Sequence, residues 1–205
     1  MKISSIQLPK YLVAVIFSAV LQPIFAANLP TGCGSDLATP PGQVGVGAVP
    51  PDPKLLFAKA TNLYAVTEMP ESDRKKDLKK GIAAYYLTPQ QREGRRFVVI
   101  AGLTYYADGR LLLQTANTFK NTMNYVMDAA GNFYLFDEFT CEMVRHGNIF
   151  AGEPVAGAGN IKIENAHIVY INSDSGHYPG SAGLHHQVLQ ELKRNGSEPP
   201  DHPVK

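Results

Sequence analysis

The side chains best suited to chemistry lie close together near the end of this chain. Residues 171–180 read INSDSGHYPG and include Ser175, His177 and Tyr178. A histidine serves as general acid or base because its pKa lies near neutrality, and a tyrosine hydroxyl can donate to a carbonyl or phosphate. A serine becomes a nucleophile when a base lies about 3 Å from its hydroxyl. With His146 converging from earlier in the chain, the candidate catalytic set is His146, Ser175, His177 and Tyr178.

The same residue types also have a structural interpretation. His177 would then hydrogen-bond a neighbouring loop carbonyl, and Tyr178 would fill the core with its hydroxyl at the surface. A catalytic site requires the four side chains to converge in a cleft and a histidine pKa to be perturbed. A structural role requires buried, hydrogen-bonded side chains without a pocket. The sequence leaves both interpretations open.

Hairpins should position these residues. Residues 96–103, RFVVIAGL, have the pattern of a buried strand, and Asp108-Gly109 is a strong hairpin signal. Residues 123–139 predict a strand, a turn and a second strand. Residues 160–172 alternate apolar and polar side chains and predict a further hairpin that turns near residues 164–166.

Helical patterns flank the strands on both sides. Residues 51–66 have apolar positions at helical spacing, and residues 71–86 predict a charged, mostly solvated helix. In residues 181–196, Ser181 is a suitable N-cap and Gly196 a suitable residue just past the last turn. The predicted fold is therefore α+β, an antiparallel sheet of hairpins with two N-terminal helices and one C-terminal helix.

The N-terminus predicts export. Lys2 and Lys10 precede or flank a short apolar stretch at residues 11–21, and Ala26 offers a small residue at a cleavage site. We therefore expect a signal peptide over 1–26, a Gly/Pro-rich leader over 27–53, one domain over 54–196, a flexible tail over 197–205, and a periplasmic or secreted location. In an oxidising compartment Cys33 and Cys141 either form a disulfide or remain as two unpaired thiols.

Several classes of function find no support in the composition. The formal net charge of +1 comes without a basic stripe, so nucleic-acid binding is not expected. The glycine patterns lack the context of a nucleotide-binding loop. The histidines lack metal-ligand spacing, so neither a metal nor a cofactor is predicted. The carboxylates Asp137, Glu138 and Glu142 are interpreted as a solvated strand end rather than an acid–base pair.

A longer spaced pattern gives a family resemblance. After a Y-V-M-D-x-x-G-N-x-Y hairpin, the chain resembles H-x-S-x-x-A-G-x-x-V-x-x-A-G followed by S-G-H-Y, at His146, Ala151, Gly152, Val155, Ala158, Gly159, Ser175, Gly176, His177 and Tyr178. This pattern is similar to the C-terminal half of the plant IQ-motif calmodulin-binding protein family and to bacterial secreted and toxin-like chains. Gly147, Ala166 and Pro179 depart from it.

The resemblance implies a family without a reaction, since the residues matched have no established activity. The chain lacks an I-Q-x-x-x-R-G-type helix, so calmodulin is not supported as a partner. We therefore expect an exported effector- or toxin-like protein with a candidate polar site at the Ser-Gly-His-Tyr turn. The alternative is a non-catalytic secreted structural or binding module. Either would act on an unknown protein or small-molecule ligand, with no membrane span left after signal cleavage.

Overall fold

The computed structural model describes residues 64–114, 122–136 and 145–200. Its helices are α1 (Glu71–Lys79), a 3-10 helix (Ile82–Tyr85), α2 (Pro89–Glu93), α3 (His146–Ile149) and α4 (Ala182–Arg194). Its strands are β1 (Arg96–Ile100), β2 (Leu103–Tyr106), β3 (Met123–Met127), β4 (Phe133–Phe136), β5 (Gly157–Glu164) and β6 (His167–Ile171).

The six strands form one antiparallel sheet in the order β2-β1-β4-β3-β5-β6. Three hairpins, β1–β2, β3–β4 and β5–β6, supply all six strands, so the predicted α+β class and sheet of hairpins are confirmed. The sheet is also bent. The segment after β2 pairs at Gln114 with Glu164, and the Thr104 N–H donates to the Ala166 carbonyl at 2.9 Å. The first and last hairpins therefore meet.

Both faces of the sheet are covered by apolar packing. Every residue of β3 and β4 is buried, and alternate side chains enter two different clusters. Tyr125 and Leu135 join the cluster that Val188 and Leu192 of α4 cover. Val126 joins the opposite cluster, which also contains Met69, Ile149 and Tyr178. Each large side chain taken from water in this way contributes about 1.5–3 kcal/mol.

The turn between β1 and β2 differs from the sequence expectation. Residues 96–103 were predicted as one strand, but the chain reverses at Ala101 (φ 50°) and Gly102 (φ 82°). Two successive left-handed residues suit the right-handed twist of a two-residue hairpin, and Ala101 adopts this conformation at a cost. The Asp108-Gly109 turn also forms, with Gly109 at φ 85°. The chain that returns from it makes single bridges rather than a strand.

The C-terminal helix follows its sequence signals. The Ser181 hydroxyl accepts from the Leu184 N–H at 3.2 Å, which satisfies one of the free donors at the start of α4. Val188 and Leu192, one turn apart, are fully buried, and Gly196 has φ 82° beyond the last turn. The N-cap and the terminating glycine predicted for this helix are confirmed.

The N-terminal helices are only partly as expected. Helix α1 is charged and solvated, as predicted, but it ends at Lys79, and the rest of the range 71–86 contains a separate 3-10 helix that begins at the buried Ile82. Most of the helix predicted over 51–66 lies outside the described residues. Its described end, residues 64–66, is not helical, and Thr67 just beyond it pairs with Val155 in a single bridge. The short helices α2 and α3 were not predicted, although Thr88-Pro89 and Gln91 form a capping box at the start of α2.

Some expectations fall on residues that the structure does not describe. These are the signal peptide, the leader, both cysteines, residues 201–205 of the predicted tail and the carboxylates Asp137, Glu138 and Glu142. The first residues of the predicted tail are described, and Ser197 among them is buried. Across the described ranges, no helix combines the length and apolar character needed to cross a membrane.

Candidate functional site

His177 lies where three parts of the fold meet. It follows β6 in the loop that leads to α4. Its ring Nδ1 accepts a hydrogen bond from the Gly147 N–H of α3 at 3.2 Å. Its Nε2 faces Asp77 Oδ1 of α1 at 3.5 Å. The side chains of His177 and Asp77 are only 7% and 2% exposed, so the ring joins the two helices inside the protein.

These contacts define the protonation state of the ring. Because Nδ1 accepts from a backbone N–H, it carries no proton, and the neutral ring holds its proton on Nε2, towards Asp77. Burial lowers the pKa of His177 below its usual 6.5, the Asp77 carboxylate opposes that shift, and Arg145 adds to it. The ring therefore has no nitrogen left for a substrate in this arrangement.

Asp77 is shared between His177 and Tyr86. The Tyr86 hydroxyl donates to Asp77 Oδ2 at 3.4 Å, so each carboxylate oxygen has one partner. Burial raises the pKa of Tyr86, and the neighbouring Asp77 charge raises it further. The buried carboxylate thus fixes α1 to the loop containing His177 and to the chain that follows the 3-10 helix.

Tyr178 and Ser175 are also occupied by protein groups. The Tyr178 side chain is 2% exposed, and its hydroxyl donates to the Glu153 carbonyl at 2.9 Å. Burial raises the pKa of Tyr178 well above its usual 10. The Ser175 hydroxyl accepts from the backbone N–H groups of His177 and Tyr178 at 3.4 and 3.2 Å. The serine therefore stabilises the turn, as short hydroxyl side chains often do.

His146 has a partner of its own. It begins α3, is buried, and its Nε2 lies 2.8 Å from the Gly159 carbonyl of β5, which requires the proton on that nitrogen. It approaches His177 only through the next residue, Gly147, whose N–H the His177 ring accepts. The four predicted residues are thus placed in one region, with each polar side chain bonded to a protein group.

A very small cavity lies beside one of the candidate residues, and a larger pocket lies away from all four. A cavity of about 10 Å³ beside Tyr178 is bounded by Pro179, Leu184 and His185, and its volume suits at most one water molecule. An open pocket of about 280 Å³ lies elsewhere. It is lined by Pro89, Gln90, Arg92, Glu93, Asp128, Tyr134 and Phe150 and includes none of the four.

The small residues of the family pattern have structural explanations. Ala151 and Gly152 are successive left-handed residues, with φ of 52° and 74°, and the Gly152 carbonyl accepts from Arg74 at 2.5 Å. Ala158 and Gly159 instead lie within β5. A Cβ at Gly159 would stand 2.0 Å from the Asn172 carbonyl oxygen, so only glycine fits there. The first pair forms a turn, and the second permits a close approach of two chain segments.

Sequence reasoning missed Asp77, the acidic partner of His177. It was interpreted as part of a solvated charge run, yet it is the only buried residue of α1. A single acidic residue within the basic run RKKDLKK was the available signal.

Across the described residues, no group of three or more His, Cys, Asp or Glu side chains is arranged to hold a metal ion. His185 of α4 is buried while His186 is exposed, so these neighbours lie on different helix faces.

The segment that contains the sheet matches the model of a known protein family. Residues 91–183 match the family model described as the IQ motif-containing protein middle domain. The match covers slightly less than half of the 205 residues, and it runs from α2 through all six strands to the start of α4. No curated protein and no solved structure gives a significant match.

The match corrects one expectation and confirms another. The statement that calmodulin is not supported as a partner was wrong, because the middle domain is part of IQ motif proteins, which bind calmodulin. The missing I-Q-x-x-x-R-G helix is therefore not a ground for excluding that partner. The resemblance to the IQ-motif family is confirmed for the matched part of the chain. Residues 91–183 carry a module similar to the IQ motif-containing protein middle domain.

Proposed function

We propose that this protein is an exported, effector-like binding module that acts without catalysis. The observation that carries the proposal is the state of His177. One ring nitrogen accepts from Gly147, and the other faces Asp77 inside the protein. A general base must reach the proton it removes from a substrate, and neither nitrogen does so in this arrangement. The Ser-Gly-His-Tyr turn then serves to lock α1, α3 and the loop after β6 together.

The other candidate residues support the same proposal. A serine nucleophile needs a base beside its hydroxyl, but the Ser175 oxygen already accepts from two backbone N–H groups. The Tyr178 hydroxyl donates to Glu153, and the His146 Nε2 to Gly159. Buried polar groups with partners of this kind specify a packed structure.

Export and partner class rest on the sequence and the family match. The basic residues and short apolar stretch of residues 1–26 support a signal peptide. The likeness of the pattern to bacterial secreted and toxin-like chains supports an effector role, and an oxidising destination favours a bond between Cys33 and Cys141. Calmodulin stays among the candidate protein partners because of the family match.

Thermal melting combined with a toxicity assay tests this proposal. His177→Ala removes the acceptor of a buried N–H and the partner of a buried carboxylate, so we expect the free energy of unfolding to fall by about 2–3 kcal/mol. Tyr178→Phe should cost about 1 kcal/mol, since the Glu153 carbonyl loses its donor. His167→Ala, at an exposed histidine, is the matched control and should melt like the wild type.

Expression in cytoplasm and in periplasm provides the second readout. If the wild type is toxic and His177→Ala is harmless while it melts normally, the turn is an active site and the proposal is wrong. A large loss of stability in His177→Ala, with the Tyr178→Phe protein retaining any toxicity of the wild type, is the expected result.

A further inference from the structure

The C-terminal half of α1 and Lys80, the residue that follows it, carry an exposed basic surface. Lys75, Lys76, Lys79 and Lys80 are all exposed, and Leu78 stands among them with 65% of its surface accessible. Leu78 is the more exposed of the two exposed large apolar side chains within the described residues. We call these five residues the lysine surface. The formal charge of the whole chain is only +1, so this concentration of positive charge is local.

The lysines of this surface are largely unpaired. Lys75 lies 3.6 Å from Glu71, but both side chains are mostly exposed, and such a pair contributes little. Within the part of the chain that the structure describes, Lys76, Lys79 and Lys80 form no ion pair. The acidic residue inside the run, Asp77, faces inward to His177. The ammonium groups are therefore available to an external anion.

The inner side of α1 is held by polar contacts, which leaves its outer side free. Asp77 is the only buried residue of the helix, and Arg74 donates to the Gly152 carbonyl. A surface helix normally buries an apolar stripe, and α1 has none. Its one prominent apolar residue, Leu78, faces solvent instead. An exposed apolar side chain, with Lys75 one turn before it and Lys79 next to it, is a feature that folding does not require.

We propose that the lysine surface docks the protein on an anionic lipid surface. Lysine is depleted in protein–protein interfaces, where Tyr, Trp and Arg dominate, and the lysine surface contains none of those three. A lysine ammonium is a flexible point charge, which suits lipid phosphates that can rearrange around it. Leu78 supplies the apolar contact at the acyl boundary, and the lysine stems lie beside it with their charges at the headgroups.

The charge distribution along α1 gives the docking an orientation. Glu71 and Asp73 lie in the first turn, and the four lysines follow towards the C-terminal end. An anionic surface repels the first turn and attracts the last one. Gly81 (φ 71°) then turns the chain inward to the buried Ile82. The helix should therefore approach the membrane with Leu78 and Lys79 foremost.

Vesicle co-sedimentation of the full-length protein tests the proposal. The measured quantity is the ratio of partitioning on vesicles containing phosphatidylglycerol to that on pure phosphatidylcholine. Lys2 and Lys10, beside the apolar stretch at residues 11–21, also favour an anionic headgroup, but they are present in every variant. The contribution of the lysine surface is therefore the difference in this ratio between the wild type and each variant. Each lysine near an anionic surface contributes about 1 kcal/mol, so Lys79→Gln and Lys80→Gln should each lower the ratio about fivefold.

Two further variants make the test specific. Lys193→Gln removes the same charge from α4, which covers the opposite face of the sheet, and it should leave the ratio unchanged. Leu78→Ser should weaken partitioning on phosphatidylglycerol vesicles severalfold, although it keeps every charge. All four variants should melt at the same temperature as the wild type, because the four substituted side chains are exposed to solvent and do not pack in the core.

The outcome that overturns the proposal is a ratio near one for the wild type, or equal loss in Lys193→Gln and Lys79→Gln. A wild type that ignores phosphatidylglycerol but binds calcium-loaded calmodulin through Lys79 and Lys80 would show that the lysine surface serves an acidic protein instead. Raising the salt concentration should abolish the phosphatidylglycerol preference, since exposed charges are screened. A preference that persists in high salt would also contradict the electrostatic basis.

Discussion

The ring of His177 accepts a hydrogen bond from the backbone N–H of Gly147, 30 positions earlier in the chain. A backbone N–H cannot change its role, so the acceptor nitrogen must stay unprotonated while the two residues are in contact. If the ring were protonated, its Nδ1–H would face the Gly147 N–H, and two donors cannot form a hydrogen bond. The contact between α3 and the loop after β6 therefore depends on a neutral histidine.

Acid should weaken the fold through this residue. Burial lowers the pKa of His177 from 6.5, with Asp77 and Asp73 opposing the shift and Arg145 and Lys76 supporting it. The unfolded chain therefore binds the proton more readily than the folded protein. The free energy of unfolding contributed by His177 is complete above pH 6.5 and falls as the pH drops below that value.

Urea unfolding at about pH 7.5 and about pH 5 measures this contribution. Carboxylates also titrate in this range, so the comparison is with His177→Asn, whose amide oxygen can accept from Gly147 without titrating. We expect the wild type to lose more stability between the two pH values than His177→Asn does. Equal losses would show that folding does not lower the pKa of His177.

Two glycines near His177 should respond oppositely to alanine. A Cβ at Gly147 would lie 3.0 Å from His177 Nδ1 and 3.2 Å from Met69 Sδ, so Gly147→Ala should cost about 1–2 kcal/mol. Gly176 has open space around its Cβ position and does not have a left-handed φ. Gly176→Ala should therefore be neutral, or stabilise by up to about 0.5 kcal/mol. Calorimetric melting of both variants measures these changes in stability. A large loss of stability in Gly176→Ala would refute the predicted difference between the two glycines.

Gly157 and Val188 should be energetically coupled. A Cβ on Gly157 would lie 2.3 Å from Val188 Cγ2, where α4 packs on β5. Gly157→Ala should cost about 2–3 kcal/mol, and Val188→Ala about 2 kcal/mol, because each disturbs a close-packed contact. In the double variant the new methyl occupies part of the vacated space. We expect the double loss to be at least about 1 kcal/mol smaller than the sum of the two.

The control for this cycle is Leu192→Ala, which is also fully buried on α4. It should combine with Gly157→Ala additively because it does not vacate the space beside Gly157. Chemical denaturation of the wild type, the three single variants and the two double variants gives the free energy of unfolding of each protein. If the losses of Gly157→Ala and Val188→Ala also add, then α4 moves away from β5 in the Gly157→Ala protein, and the new methyl group does not use the space that Val188 vacates.

Local signals were sufficient for much of the fold. Residues 123–139 form the strand, turn and strand that their sequence predicts, as far as they are described, and Asp128 Oδ1 accepts from the N–H groups of Ala130 and Asn132 in the turn. Ser181 and Gly196 similarly marked the ends of α4. These features depend on residues adjacent in sequence, so their chemistry can be read directly. The Ala101-Gly102 turn was missed because alanine rarely adopts a left-handed conformation.

The candidate site was harder to predict because its partners are distant in sequence. The Ser175 contacts are local, and a turn role for that residue was foreseeable. The state of His177 depends on Asp77 and Gly147, which are 100 and 30 positions away. Nothing in the spacing of S-G-H-Y indicates whether a distant chain segment will supply a carboxylate or a backbone donor. Tertiary packing decides this, and with it the choice between a reactive and a structural histidine.

The earliest described residues make their contacts with the latest ones. Thr67 pairs with Val155, the Ala65 carbonyl accepts from Gln187, and Tyr64 donates to Glu191 of α4. Contacts of such long sequence separation form slowly, because the intervening chain must close first. A chain that crosses a membrane N-terminus first cannot complete this fold until its last helix has emerged. Along the export route proposed above, this topology would therefore leave the chain unfolded until all of it has crossed.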